Sequence, residues 1–222
     1  DLLGECGYLP NTDSPFETSF YAARLTEWRQ RYYDWVSDPI LNGISQARPM
    51  FDLRHICGRE STWQEVEATA MHAVNGAFLH VLANDCLASL PPLTFFQDAV
   101  VDDTGAETAV FRLEHSALRP LVDVGRVFGL AARKVFGKST LGRFAIARTL
   151  LPENASIFRE ASETLRIVLW QQGRVGITQG TAGSELPPAL LSRYDRQILR
   201  GGFRSILRLL EFTADLTWLK TL

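Results

Sequence analysis

The stretch RPMFDLRHICG, residues 48–58, sets two ionisable side chains, Asp52 and Arg54, inside a short apolar run between Pro49 and Gly58. Read as a strand, it sends Asp52 and Arg54 to one face and Phe51 and Leu53 to the other. A carboxylate so placed suits metal-dependent phosphate chemistry, in which oxygen ligands from neighbouring strands hold Mg²⁺ against a nucleotide. The same pattern also suits an Asp–Arg ion pair at a sheet edge. Three residues do not separate the two.

A second polar group falls in the C-terminal half. Asp123 and Arg126 stand three positions apart in PLVDVGRVFGL, so they share one face of an otherwise apolar helix. Charges are rarely buried unless paired, and an ion pair that fixes helix packing is one reading. The other is a polar pocket built from Asp123, Arg126, Thr140 and Arg143. Thr140 and Arg143 would occupy the first turn of one helix, where an anion is welcome.

Other residues carry less. His72 and His80 have no carboxylate or cysteine at ligand spacing. His55 and Cys57 alternate after FDLR and could line the same cleft, which is weak evidence for a nucleophile. GRVGITQG lacks the Lys-Ser/Thr of a phosphate-binding loop and reads as a mobile connector. Trp28, Tyr32 and Trp35 read as a core stripe.

The elements that must position these residues are mainly helical. Ser14-Pro15 with Glu17 opens a helix running to about Ser37, and Asp38-Pro39 ends it. The MFDLRHIC strand follows. Ser61 or Thr62 then caps one long helix reaching about Leu90, before Pro91-Pro92. TFFQDAVVDDTGAETAVFRLEH reads as a hairpin around DDTG. Pro120 opens the next helix, Ser139 or Thr140 caps another, a third covers about 153–173, and the last runs from about Ser192 to Leu219. The fold class expected is mainly α (α+β), a helical bundle with a β-hairpin.

Composition narrows the partners. A net charge of −2, with Arg and Lys spread along the chain, gives no reason to expect a nucleic-acid or membrane surface. No apolar run has the length of a membrane span. Three unpaired-looking cysteines, Cys6, Cys57 and Cys86, read as reduced thiols in a cytoplasmic protein.

In order along the chain, CGY, LTEWRQRYYDWVSDP, FDLR with Gly58, ALRPLVDVGRVFGL, STLGRF and the C-terminal LPPALLSRYDRQILRGGF helix resemble one family. It is the bacterial DUF294-type signal-transduction nucleotidyltransferases with their C-terminal substrate-binding domain, relatives of the PII-uridylylating enzymes. The resemblance implies residues 1–58 as the tail of a nucleotidyltransferase α/β domain and 59–222 as the helical substrate-binding domain. It implies that Asp52 matches the third metal carboxylate, with Arg54, Asp123, Arg126, Thr140 and Arg143 as substrate-binding candidates.

The resemblance further implies Mg²⁺ and an NTP in the intact protein, with nothing bound tightly to this chain. The partners it implies are a nucleotide, a PII-like acceptor protein, upstream CBS or cyclic-nucleotide-binding domains and, as an option, a second copy in a homodimer. The family's Gly-Ser…Asp-x-Asp strand does not occur in these 222 residues, so this chain alone is expected to be inactive. FRLEH, with Arg112 and Glu114, replaces the family's Asp-x-Lys, and LPNTDSPFETSF replaces a glycine-containing segment. The alternative is a catalytically degenerate regulatory module that binds a partner.

Overall fold

The computed structural model describes residues 22–40, 43–88, 111–187, 190–215, 217 and 219. Within them the chain is mainly α, with a small antiparallel sheet. Helix α1 spans Leu25–Ser37, α2 Ile44–Met50, α3 Glu60–Ala73 and α4 Gly76–Asp85. A short strand β1, Phe111–Arg112, leads through a π-helical turn, Glu114–Leu118, into α5, Arg119–Ala131. Then come α6 (Thr140–Leu150), α7 (Ala155–Gln179), β2 (Glu185–Leu186) and α8 (Arg193–Asp215).

Helix α5 is the centre of the bundle. Leu121, Val124, Val127, Phe128 and Leu130 are all buried, and so are Gly125 and Gly129 between them. A helix covered on nearly every side must be apolar all round or pair its charges. It packs on α6, α8 and α4, while α7 lies along both α6 and α8. Phe128 meets Phe158 edge-on at 4.7 Å between ring centroids, and Phe111 stacks on Phe203 at 4.8 Å. Aromatic pairs in these geometries add to the benefit of their buried area. Among the described residues no helix is long and apolar enough to cross a membrane.

Several local expectations are corrected. The strand expected over MFDLRHIC does not form. Residues 44–50 are helical instead, with Pro49 inside, and the chain leaves through two short bonds: Phe51 N–H donates to the Arg48 carbonyl and Asp52 N–H to the Pro49 carbonyl. The tight turn itself puts Phe51 in and Asp52 out, so burial alternates without a sheet. The single helix expected to reach Leu90 is two, broken at Val74–Asn75. There Asn75 is extended, and its side chain accepts from the Phe78 N–H at 2.9 Å as an N-cap.

The helix expected to stop near 173 continues to Gln179, so most of GRVGITQG is helix rather than a connector. Gly180, at a φ of 65°, stops it in the left-handed conformation that glycine takes without penalty. Ser139 is the cap of α6, accepting from the Gly142 N–H at 3.2 Å. Ser192 caps α8: its hydroxyl accepts from the Asp195 N–H, and the Asp195 carboxylate accepts from the Ser192 N–H at 3.0 Å.

Most of the 93–115 hairpin segment and the Ser14–Pro15 cap lie outside the described residues. The described end of that segment, Phe111–Arg112, pairs antiparallel with Leu186 and Glu185, which lie outside the segment.

Candidate functional site

The turn after α2 delivers Asp52 to the α5–α6 junction. Phe51 is fully buried and anchors the turn, with ring centroids 5.3 Å from Tyr32 and 5.5 Å from Phe78. The Tyr32 hydroxyl donates to the Met50 carbonyl at 2.7 Å, and burial pushes its phenol up so that it stays a donor. On the far side, the Gly137 N–H donates to the Leu53 carbonyl at 3.2 Å. The turn is held from both flanks.

Asp52 then meets two guanidinium groups. Arg126 Nε lies 3.2 Å from each carboxylate oxygen, and its Nη2 donates to Oδ2 as well. Arg143 Nη1 lies 2.6 Å from Oδ1. Both arginines are almost fully buried, whereas about a third of the Asp52 side chain is exposed (31%). The network extends inward. Arg126 Nη1 donates to Asp123 Oδ1, and Arg48 Nη1 joins Asp123 Oδ2 at 3.2 Å to Asp85 Oδ2 at 2.6 Å. Arg119, half exposed, lies 3.7 Å from Asp123 on the same helix.

The network therefore joins α2, the Asp52 turn, α4, α5 and α6. Four arginines face three aspartates, leaving one positive charge in excess. Burial works against charge on Arg126, but its bonds to Asp52 and the charges of Asp52 and Asp123 hold the guanidinium above its ordinary value. Burial pushes Arg143 below its ordinary value, with Asp52 opposing that and Arg126 adding to it. No buried polar side-chain atom among the described residues lacks a partner.

Two glycines let this happen. A Cβ on Gly125 would stand 2.9 Å from Thr140 Cγ2, and one on Gly129 would stand 3.2 Å from Arg143 Cγ. Their i, i+4 spacing clears a groove on α5 into which the first turn of α6 sinks. Arg143 lays its stem there and also donates to the Val135 carbonyl from Nε and Nη2 at 3.3 and 3.2 Å.

Of the predicted site residues, the structure brings together Asp52, Asp123, Arg126 and Arg143, with Thr140 packed beside them against Gly125. Arg54 is exposed and forms no ion pair among the described residues. Arg48, Asp85 and Arg119 belong to the network and were missed. The Gly125-x-x-x-Gly129 spacing was a signal for the α5–α6 contact; nothing local marks Arg48 or Asp85. As for Mg²⁺, the described residues contain no cluster of three or more carboxylate, imidazole or thiol ligands. Asp52 meets guanidinium groups where a divalent cation would need further oxygens, so these residues do not fit a Mg²⁺ site.

Comparison with known proteins adds one match. A family model described as "Putative nucleotidyltransferase substrate binding domain" (DUF294, C-terminal) matches residues 76–216. No curated protein matches the chain, nor does any solved structure. The matched segment covers α4 to α8 and includes Asp85, Asp123, Arg126 and Arg143, and the chain belongs to this family of nucleotidyltransferase substrate-binding domains.

Proposed function

We propose that the chain is the substrate-holding part of a nucleotidyltransferase, and that Asp52 serves as its internal tie rather than as a metal ligand. On this reading residues 1–58 are the tail of a catalytic domain, and Asp52 fastens that tail to the helical domain of residues 59–222. The observation that carries it is the Asp52 carboxylate, engaged on both oxygens by Arg126 and Arg143. A cation arriving at Asp52 would meet two guanidinium charges at contact distance, and like charges oppose each other strongly where burial limits screening.

The finer expectations form part of the same proposal. Transfer would proceed from an NTP, with Mg²⁺ held by carboxylates of a catalytic core, to an acceptor of which a PII-like protein is one class. This chain would present the acceptor and keep its geometry fixed while the core reacts.

The test uses a protein carrying this chain together with a Gly-Ser…Asp-x-Asp core. Removing residues 76–216 is expected to raise the acceptor KM or abolish transfer, while leaving NTP hydrolysis by the core intact. The isolated chain is expected to transfer no labelled nucleotide with Mg²⁺ or Mn²⁺. An unchanged acceptor KM after the deletion, or metal-dependent labelling by the isolated chain, would overturn the reading.

A further inference from the structure

A second polar site lies where β1, β2 and the π-helical turn converge. A surface pocket of about 290 Å³ is lined by Arg112, Glu114, His115, Arg119, Ser184 and Glu185. It is about as large as the smallest ligand sites. The antiparallel register sets Arg112 opposite Glu185, so both project from one face of the two-stranded sheet. The Leu113 N–H donates to the Ser184 carbonyl at 2.9 Å and extends that pairing. Glu114 and His115 come from the π-helical turn, a rare conformation that recurs at functional sites.

The charges here differ from those at Asp52. Arg112, Glu114, His115 and Glu185 form no ion pair among the described residues, although they line one small pocket. Arg119 is shared: it lines the pocket and reaches Asp123 at 3.7 Å. The largely buried network at Asp52 is satisfied internally, whereas this pocket is lined by exposed charged side chains.

We propose that this pocket binds a small phosphorylated sugar or polyol. Two guanidinium groups match the oxygens of a phosphate dianion, which they can hold in pairs. The carboxylates of Glu114 and Glu185 can only accept, so they select hydroxyl donors on the same ligand and repel a bare anion. A purely apolar ligand finds nothing to hold, and inorganic phosphate carries only P–OH groups on the ion that the guanidinium groups themselves hold, with no separate hydroxyls to reach both carboxylates. The inference rests on the substrate-binding reading, and names the class of small molecule that the domain would take.

The test is calorimetric titration of the whole chain with ribose 5-phosphate, ribose and inorganic phosphate. Ribose 5-phosphate is expected to saturate one site per chain, with inorganic phosphate binding about tenfold more weakly or worse, about 1.4 kcal/mol. Ribose is expected to give no measurable heat of binding. Arg112→Ala and Glu185→Gln are each expected to weaken ribose 5-phosphate severalfold, while Lys138→Ala, at an exposed residue that does not line the pocket, leaves it unchanged. Thermal midpoints of the variants report whether they are folded, and His115→Ala replaces Arg112→Ala if that variant is not.

Absence of saturation in the millimolar range would overturn the proposal. So would equal affinity for inorganic phosphate, or an unchanged affinity in folded Arg112→Ala and His115→Ala. Failure here with acceptor KM still dependent on residues 76–216 removes only the pocket. Saturable binding with an unaffected KM removes only the transferase reading.

Discussion

Asp52 and Arg126, 74 positions apart in the chain, meet with Arg126 Nε 3.2 Å from both carboxylate oxygens. The pair closes the contact between the turn after α2 and the central helix. Arg126 is buried and cannot turn to water if Asp52 is lost, while Asp52 keeps one open side. Without Asp52, Arg126 would keep Asp123 alone, and Arg143, also buried, would keep only the Val135 carbonyl, so the loss falls on the arginines, because an undercompensated buried charge is costly.

Arg143→Lys is expected to destabilise the chain although charge is kept. Arg143 serves Asp52 and the Val135 carbonyl from one planar fork, and a lysine ammonium cannot reproduce both directions. The expected cost is roughly 1.5–3 kcal/mol, the range for hydrogen bonds to charged groups. Urea denaturation of the two proteins measures it; equal midpoints would show that the fork does not matter.

Gly125→Ala drives a methyl group to 2.9 Å from Thr140 Cγ2, and overpacking of this kind costs about 1–3 kcal/mol. Thr140→Ala removes the methyl group that is hit. The double variant is therefore expected to recover most of the loss, giving a coupling of roughly 1 kcal/mol between the sites. Additive effects would mean that α5 and α6 do not approach at this point.

Asp195 supplies a pH dependence. The Ser192 hydroxyl, followed by Gln171, the Ser192 N–H and Arg174, holds its carboxyl below the ordinary carboxylate value against a smaller opposing effect of burial. A depressed native pKa means that the unfolded state binds the proton more readily. The stabilisation is present above the unfolded pKa of about 3.9 and is lost as pH falls through the native value. Asp195→Asn is expected to be less stable than the parent chain near neutrality, with the gap closing in acid. A gap that stays constant down to pH values of about 3 would contradict this.

Cys57 is exposed and Cys86 buried. Burial pushes the Cys86 thiol up, and the nearby charges of Asp123 and Asp85 push it further. In a Cys6→Ser background, one thiol is expected to react rapidly with an aromatic disulfide reagent. The second should react only on unfolding, because the thiolate is the reactive form. Two fast thiols in the native protein would place Cys86 at the surface.

Legibility in the sequence followed the range of the interaction. The Asp123–Arg126 pair, three apart on an apolar helix, could be read directly, as could a cap at Ser139 or Thr140, which the structure assigns to Ser139, and the helices around it. Asn75-Gly76 carried the signal for the break between α3 and α4, but the apolar spacing on both sides suggested one continuous helix. The alternation in MFDLRHIC imitates a strand because a tight turn after Pro49 buries Phe51 and exposes Asp52 in the same order. Arg48 and Asp85 could not be found from spacing. Their pairing depends on where α2 and α4 meet in space, 37 positions apart, and no local pattern encodes that distance.

The central claim is that Asp52 ties the turn after α2 to α5 and α6. Its most direct measurement is the unfolding free energy of the chain with Asp52→Asn, by urea denaturation near neutral pH. Asparagine keeps the shape but removes the charge opposite Arg126 and Arg143, and breaking a buried pair costs about 3–5 kcal/mol. Because Asp52 is partly exposed, a loss of about 3 kcal/mol is expected, with the slope of the transition unchanged. An Asp52→Asn chain as stable as the parent would contradict the account and return Asp52 to the role of an open ligand.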